Sequence, residues 1–268
     1  MRGIVRALAA VVSAALLFVL SSGRASARGA APGRVEATVY AWRPSAKGDA
    51  ALGEAVPAQR FDLHDHAGLE HTGVGEAARL VLRAGRWGFH AGASRAHHDR
   101  RNLLTQSLSV QDRTYAAGTS LRGVFDLEVA HAAFSLAHGW GVVPDAEPTF
   151  PVQYEVRALV GASTYRWETR WDGAGGDVTE AFRADGATLG FSARFWERWG
   201  SLNAQVLGSL LHGRADGTGV EGDLLYGARW GPVGFEAGWH QVWMSVASDT
   251  DSVDVAYGGP LVGLRWTY

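Results

Sequence analysis

The 268-residue sequence has no cysteine and only two methionines, and its formal net charge is small, at −2. The absence of cysteine excludes a scaffold held together by disulfides. The near-neutral charge, with a sequence pI of about 6.5, does not fit the basic surface of a nucleic-acid-binding protein. A mean hydropathy of −0.06 is too low for a bundle of membrane-spanning helices. The chain is nevertheless 47% hydrophobic, which is ample for a folded structure and excludes disorder.

The one long apolar run belongs to a predicted export signal at 1–27. Two arginines precede the apolar stretch 7–20, and Ala25-Ser26-Ala27 has the small residues of a cleavage site. The stretch is shorter than the ~20 residues that a spanning helix needs. We therefore expect a cleaved signal, a short segment at 28–34 and one domain at 35–268, with an uncleaved anchor as the alternative. No later stretch approaches spanning length, so the mature chain is soluble or crosses a membrane as strands.

Beyond residue 34 apolar and polar residues alternate with the period of two that is typical of strands with one apolar face. In 201–211, for example, Leu202, Ala204 and Val206 share one face and Asn203 shares the other with further polar residues. The pattern predicts ten strands, at 35–42, 74–83, 87–97, 120–138, 150–167, 187–196, 201–211, 222–230, 233–244 and 255–268.

The connections between these segments alternate between long and short. The short ones are 84–86, 197–200 and 231–232, with 139–149 a longer exception, and the long ones are 43–73, 98–119, 168–186, 212–221 and 245–254. Outer-membrane barrels have tight periplasmic turns, longer external loops and an even number of strands. We therefore expect an all-β fold, a single transmembrane antiparallel up-and-down β-barrel of about ten strands, within an even 8 to 12. A soluble sandwich or periplasmic binding barrel is the alternative.

Tryptophan is concentrated near the ends of the predicted strands. The residues near the short turns are Trp87, Trp140, Trp196, Trp199, Trp230 and Trp266, and those near the long loops are Trp42, Trp167, Trp171 and Trp243. Indole favours the membrane–water interface, so this distribution predicts two aromatic girdles. Ordinary core tryptophan is the alternative.

The C-terminus has aromatic and apolar residues at every second position. Pro260, Val262, Leu264, Trp266 and Tyr268 share one face. This segment resembles the closing strand of bacterial outer-membrane barrels, and the motifs at 39–44 and 257–264 resemble an uncharacterised, porin-like family of Gram-negative outer-membrane barrels. The resemblance implies an outer-membrane location, contact with lipid and lipopolysaccharide, and recognition of the closing strand by the barrel-assembly machinery. It implies no assigned activity.

If the apolar face meets lipid, the opposite face lines the lumen. The residues predicted to face inward are Glu36, Arg79, Arg83, Arg122, Asp126, Glu128, Glu155, Arg157, Arg194, Asp223, Arg229, Glu236 and Arg265. Seven arginines against six carboxylates are nearly balanced, and arginine holds carboxylates through a planar fork. We expect these charges to pair across the axis and close the lumen, with a narrow charge-lined pore as the alternative.

Strand 120–138 does not keep one pattern throughout. Leu121 and Phe125 alternate with charged residues, but Phe134 and Leu136 have the opposite parity. Either a β-bulge near 130–132 restores the register or the membrane-spanning part ends there.

Candidate chemistry is sparse. His64 and His66, with neighbouring aspartates in the first long loop, are weak candidates for metal ligands. An Asp–His pair near the outer rim also resembles omptin proteases, with Asp216, His212 and His240 as distant partner candidates. We expect no cofactor, no nucleic acid and no catalytic residues. The expected function is that of a non-enzymatic outer-membrane barrel with a structural or surface-interaction role, or of a restricted small-solute pore with a charge-filled lumen. A lipid A or peptide hydrolase acting at the outer rim is the alternative, and the sequence does not decide the oligomeric state.

Overall fold

The computed structural model describes residues 34–53, 60–63, 72–105, 107–111, 113–142, 152–174, 176–197 and 199–268. The predicted signal at 1–27 lies outside the described residues, as does almost all of 28–34. The described strands are β1 (Arg34–Trp42), β2 (Ser45–Ala51), β3 (Arg60–Asp62), β4 (Val74–Ala84), β5 (Trp87–Leu103), β6 (Leu108–Val110), β7 (Arg113–Tyr115), β8 (Ser120–Val142), β9 (Gln153–Asp172), β10 (Val178–Trp196), β11 (Gly200–Gly213), β12 (Asp216–Trp230), β13 (Val233–Ala247) and β14 (Ser252–Thr267). None of these residues forms a helix long and apolar enough to cross a membrane.

Ten strands form a closed antiparallel barrel. Their order is β1-β4-β5-β8-β9-β10-β11-β12-β13-β14, and β14 pairs back onto β1. Strand β2 continues the line of β1 and pairs with the first half of β14, whereas β6 and β7 form a separate hairpin. The predicted fold class is therefore confirmed, with ten strands.

The barrel has a turn end and a loop end. Gly85 and Gly231 sit in tight turns at positive φ, 56° and 63°, which glycine adopts without steric cost. Both chain ends of the barrel lie at this turn end, because Val35 and Tyr268 exchange backbone hydrogen bonds. The loop end carries the connections that contain β2, β3, β6 and β7.

The surface chemistry inverts along the barrel axis. At the turn end, Leu189 and Phe191 of β10 point outward and are exposed, whereas Asp185 and Arg183 occupy the same outer face towards the loop end. The opposite holds inside, where charged side chains fill the turn end and large apolar ones fill the loop end. We call the two parts the membrane tier and the outer tier. The membrane tier comprises 34–41, 78–84, 87–93, 130–142, 153–162, 187–196, 200–210, 220–230, 233–240 and 260–268, and the rest of the barrel is the outer tier.

Strand β8 runs through both tiers without a bulge at the predicted place. Its pairing with β5 and β9 is continuous across 130–132, and the one irregularity in its register with β9 lies between Ala137 and Gly139. Phe134 and Leu136 therefore point outward on the same face as the charged residues nearer the loop end. The predicted bulge is wrong, and the membrane-spanning part ends there instead.

A large apolar core fills the outer tier. Trp42, Trp167, Trp171 and Phe125 are fully buried within it, and Phe61 of β3 packs edge-to-face on Trp171 at 5.4 Å. The hairpin of β6 and β7 adds further buried residues to the same core. The loop segments thus close over the barrel end and join its interior.

The tryptophans follow the same division. Trp87, Trp199, Trp230 and Trp266 are exposed at the turn end, as a girdle requires. The girdle predicted at the loop end is wrong for Trp42, Trp167 and Trp171, which lie in the outer-tier core. The side chain of Trp140 lies outside the described part.

Candidate functional site

The lumen of the membrane tier gathers most of the predicted charged residues. Ten of the thirteen have the inward parity: Glu36, Arg79, Arg83, Glu155, Arg157, Arg194, Asp223, Arg229, Glu236 and Arg265. Arg229 is the exposed member, near the rim of the turn end. Pro260, Val262, Leu264, Trp266 and Tyr268 are exposed on the outer face of β14, and their recognition during assembly stays a prediction.

Three residues predicted for the lumen lie on the outer face instead. Arg122, Asp126 and Glu128 belong to the outer tier of β8, where Arg122 pairs with Asp99 at 2.6 Å. Asp126 and Glu128 pair with Arg95 of β5 at 2.8 and 3.6 Å. The prediction assumed that polar residues face inward along the whole strand, but above the membrane water replaces lipid outside and the apolar face turns to the core.

Glu36 of β1 is the centre of a cluster at the turn end. Its carboxylate accepts from Arg194 at 2.6 Å and from Arg83 at 2.9 Å, and Arg34 lies at 3.0 Å. Strand β10, which carries Arg194, stands five places from β1 in the ten-stranded ring. This ion pair therefore crosses the lumen.

Two further clusters lie at the same level. Arg157 pairs with Glu155 and donates to the backbone carbonyls of Gly85 and Arg86, which ties the β4–β5 turn to the lumen. On the other side, Arg265 donates to Glu236 at 2.7 Å.

Nearer the middle of the barrel the partners are histidines. His131 of β8 pairs with Glu221 of β12 at 2.9 Å, and His240 pairs with Asp223 at 2.7 Å. Arg79 reaches Asp223 from the other side of the lumen at 3.6 Å. These contacts cross the barrel a second time.

The sequence analysis missed five buried titratable residues here: Tyr40, His90, His131, Glu221 and His240. The prediction considered only arginines and carboxylates, and it started β12 one residue after Glu221. The alternation of faces along a strand could have identified these residues. His240, for example, lies four residues from Glu236 on the same strand and hence on the same face.

The outer-tier core closes the lumen a third time. Trp167 of β9 donates to the Tyr257 hydroxyl of β14 at 3.1 Å, and these strands are also five places apart. His98 packs beside Tyr257 with ring centroids 5.6 Å apart, and burial lowers the pKa of His98 to about 4. On the outer surface, the hydrogen bond from Arg122 lowers the pKa of Asp99.

The described residues contain no group of three or more side chains arranged to hold a metal ion. His64 and His66 lie outside the described residues. Of the protease candidates, His212 and Asp216 lie 3.1 Å apart and both are exposed at the loop end, whereas His240 is buried in the lumen. The structure therefore does not bring these three residues together.

No protein-family model matches the chain, and no curated protein matches it. Solved structures similar to it include the attachment invasion locus protein Ail of Yersinia pestis, with 8% identity over 88% of this chain and 99% of that one and a TM-score of 0.40. The outer membrane protease OmpT of Escherichia coli matches with 9% identity over 91% and 99% and a TM-score of 0.47. Neisserial surface protein A matches with 14% identity over 89% and 99% and a TM-score of 0.30.

The architecture itself decides the broad class. All barrel strands are paired in a closed ring. In the membrane tier the outer face is apolar and the charged side chains face the lumen. Strands cross a lipid bilayer in this way because closure satisfies every backbone polar group. The fold is that of a β-barrel of the outer-membrane type.

Proposed function

We propose that this outer-membrane barrel is a non-conducting, non-enzymatic protein that acts through its outer surface, in a structural or surface-interaction role. The restricted pore and the rim hydrolase are the competing functions. The observation that carries the proposal is the apolar core of the outer tier, with Trp167 and Tyr257 in contact across the lumen. An ion entering this core would lose its hydration without gaining polar partners.

The charge network below the core supports the same conclusion. The Arg194–Glu36 and His131–Glu221 pairs span the lumen at two further levels. A solute would have to break these contacts as well as pass the core. Three successive closures favour a filled barrel over a narrow pore.

The outer face of the outer tier supports a role at the surface. Arg166, Arg170 and Arg183 are exposed there, just above the apolar girdle, and carboxylates alternate with them along neighbouring strands. Guanidinium groups at this height suit contact with phosphate and sugar groups of lipopolysaccharide. We assign the functional surface of the protein to these exposed charged residues of the outer tier and to the loops beyond them.

Recording the purified protein in a planar lipid bilayer tests the proposal. We expect no steady current from the wild type. We also expect none from Arg194→Ala, because the outer-tier core remains closed after a lumen-spanning guanidinium is removed. A large ohmic current from the wild type would overturn the non-conducting role. Hydrolysis of a lipid A ester or a peptide by the same preparation, lost in His212→Ala, would overturn the non-enzymatic one.

A further inference from the structure

The buried charges of the membrane tier are segregated by level along the axis. At the turn end, four largely buried arginines face three glutamates: Arg83, Arg157, Arg194 and Arg265 against Glu36, Glu155 and Glu236. In the middle, Arg79 faces two carboxylates that each hold a histidine. Among the largely buried side chains, positive charge is therefore in excess by one at the turn end, and Arg34 and Arg229 at the rim add to that excess. An excess of this kind is costly to bury without a counter-charge.

A cavity lies at this level of the lumen. Four arginines and two glutamates line it, together with polar and small side chains: Arg79, Arg83, Arg194, Arg265, Glu36 and Glu236. Arg34 and Arg229 stand at the rim of the turn end and are in part exposed, so an anion approaching from that side meets positive charge first.

Several donors around the cavity have no acceptor. The Nε–H groups of Arg194 and Arg265 are buried and make no hydrogen bond, although the terminal nitrogens of the same side chains do. The buried Nε–H of Arg83 makes no hydrogen bond either, and its nearest carboxylate oxygen, of Glu155, is 3.9 Å away. The side chains of Arg194 and Arg265 are more than nine-tenths buried. A buried guanidinium N–H without an acceptor is uncommon, since native structures pair almost all such groups. Three of them around one cavity indicate that an acceptor belongs there.

From the cavity, the excess charge and the free donors we infer that the turn end of the lumen binds one small oxyanion of the phosphate or sulfate class. The negative charge of such an anion offsets the positive excess of the arginines. Tetrahedral oxygens supply acceptors in several directions, which suits guanidinium groups that approach from different strands. The cation-lined cavity excludes a metal ion, and the size of the space excludes a bulky solute. This binding site is independent of the proposed surface role.

Titration calorimetry with inorganic phosphate tests the site. The full barrel is reconstituted in nanodiscs of zwitterionic phosphatidylcholine, so that no lipopolysaccharide phosphate is present. We expect one saturable site per barrel. Arg194→Gln is expected to weaken binding at least about tenfold, because it removes one charge and one free donor while Glu36 keeps Arg34 and Arg83 as partners. Arg122→Gln is the matched control, since this arginine lies on the outer face, and it should bind like the wild type.

Two results would overturn the inference. One is the absence of a saturable signal from the wild type, checked independently by the broadening of the phosphate line in ³¹P NMR when barrel is added. The other is equal loss of affinity in Arg122→Gln, which would place the phosphate on the outer surface. If Arg194→Gln fails to give the heat-modifiable migration of a folded barrel, Arg265→Gln replaces it. The wild-type measurement decides the matter even without a variant.

Discussion

At the scale of single residues, the burial of His98 in the outer-tier core makes the stability of the protein depend on pH. Its ring is buried beside Tyr257, and burial lowers its pKa from the usual 6.5 to about 4. The unfolded chain therefore binds a proton as the pH falls below 6.5, while the folded protein does not until about pH 4. Stability consequently decreases with falling pH across this window and levels off below it.

We expect the free energy of unfolding of the wild type to fall by up to about 3 kcal/mol more than that of His98→Gln between pH 6.5 and pH 4. Urea titrations of the detergent-solubilised barrel across that range measure the difference. Tyr257→Phe is the control, because it alters the packing around the imidazole yet leaves the imidazole in place, and it should keep the wild-type slope. Parallel pH profiles for the wild type and His98→Gln would contradict the prediction.

At the scale of elements, strand β8 places one phenylalanine in each environment. Phe125 is 0% exposed in the outer-tier core, whereas Phe134 is 66% exposed on the lipid-facing surface. We expect Phe125→Ala to lower the free energy of unfolding by about 3–5 kcal/mol, because it leaves a cavity that rigid neighbours do not fill. Phe134→Ala should cost clearly less, since lipid or detergent fills the space. Denaturant unfolding of the two variants side by side measures the difference. Equal losses of unfolding free energy would contradict the assignment of Phe125 to the core and Phe134 to the lipid-facing surface.

Strand β8 also shows what the sequence could and could not predict. Alternation located all ten barrel strands, because a period of two depends only on local geometry, but β5, β9, β10 and β12 extend five to nine residues further towards the loop end than predicted. It predicted the inward face correctly in the membrane tier but not the level at which the apolar face turns inward, because that depends on whether lipid or water surrounds the strand. Arg122, Asp126 and Glu128 were therefore placed in the lumen, and the buried Trp167 was placed in a girdle. Two partners of Glu36, Arg83 and Arg194, come from strands far from it in the sequence, so no local pattern could have matched them.

At the scale of the whole molecule, the two tiers place their apolar and charged side chains on opposite faces, because lipid surrounds one tier and water surrounds the other. A barrel in lipid gains little from an apolar interior, so its membrane tier holds charges inside, where they pair. Once the barrel rises into water the hydrophobic effect applies again, and the outer tier buries its tryptophans and exposes its charges. The level at which the chemistry inverts is therefore the membrane boundary, and on β10 it falls between Asp185 and Leu189.

This boundary predicts opposite results for two arginine substitutions on the same face of β10. Leu189→Arg places a charge on the lipid-facing girdle and should cost about 2–4 kcal/mol of stability in a bilayer, with a lower yield of folded barrel. Asp185→Arg, four residues nearer the loop end, should assemble like the wild type, because its side chain is in water. Folding into phosphatidylcholine vesicles, followed by the heat-modifiable shift in gel migration and by urea unfolding, compares the two. If both variants assembled equally well, the apolar girdle would not contact hydrocarbon at Leu189. Contact with lipid would then not explain why the charged residues of the membrane tier face the lumen.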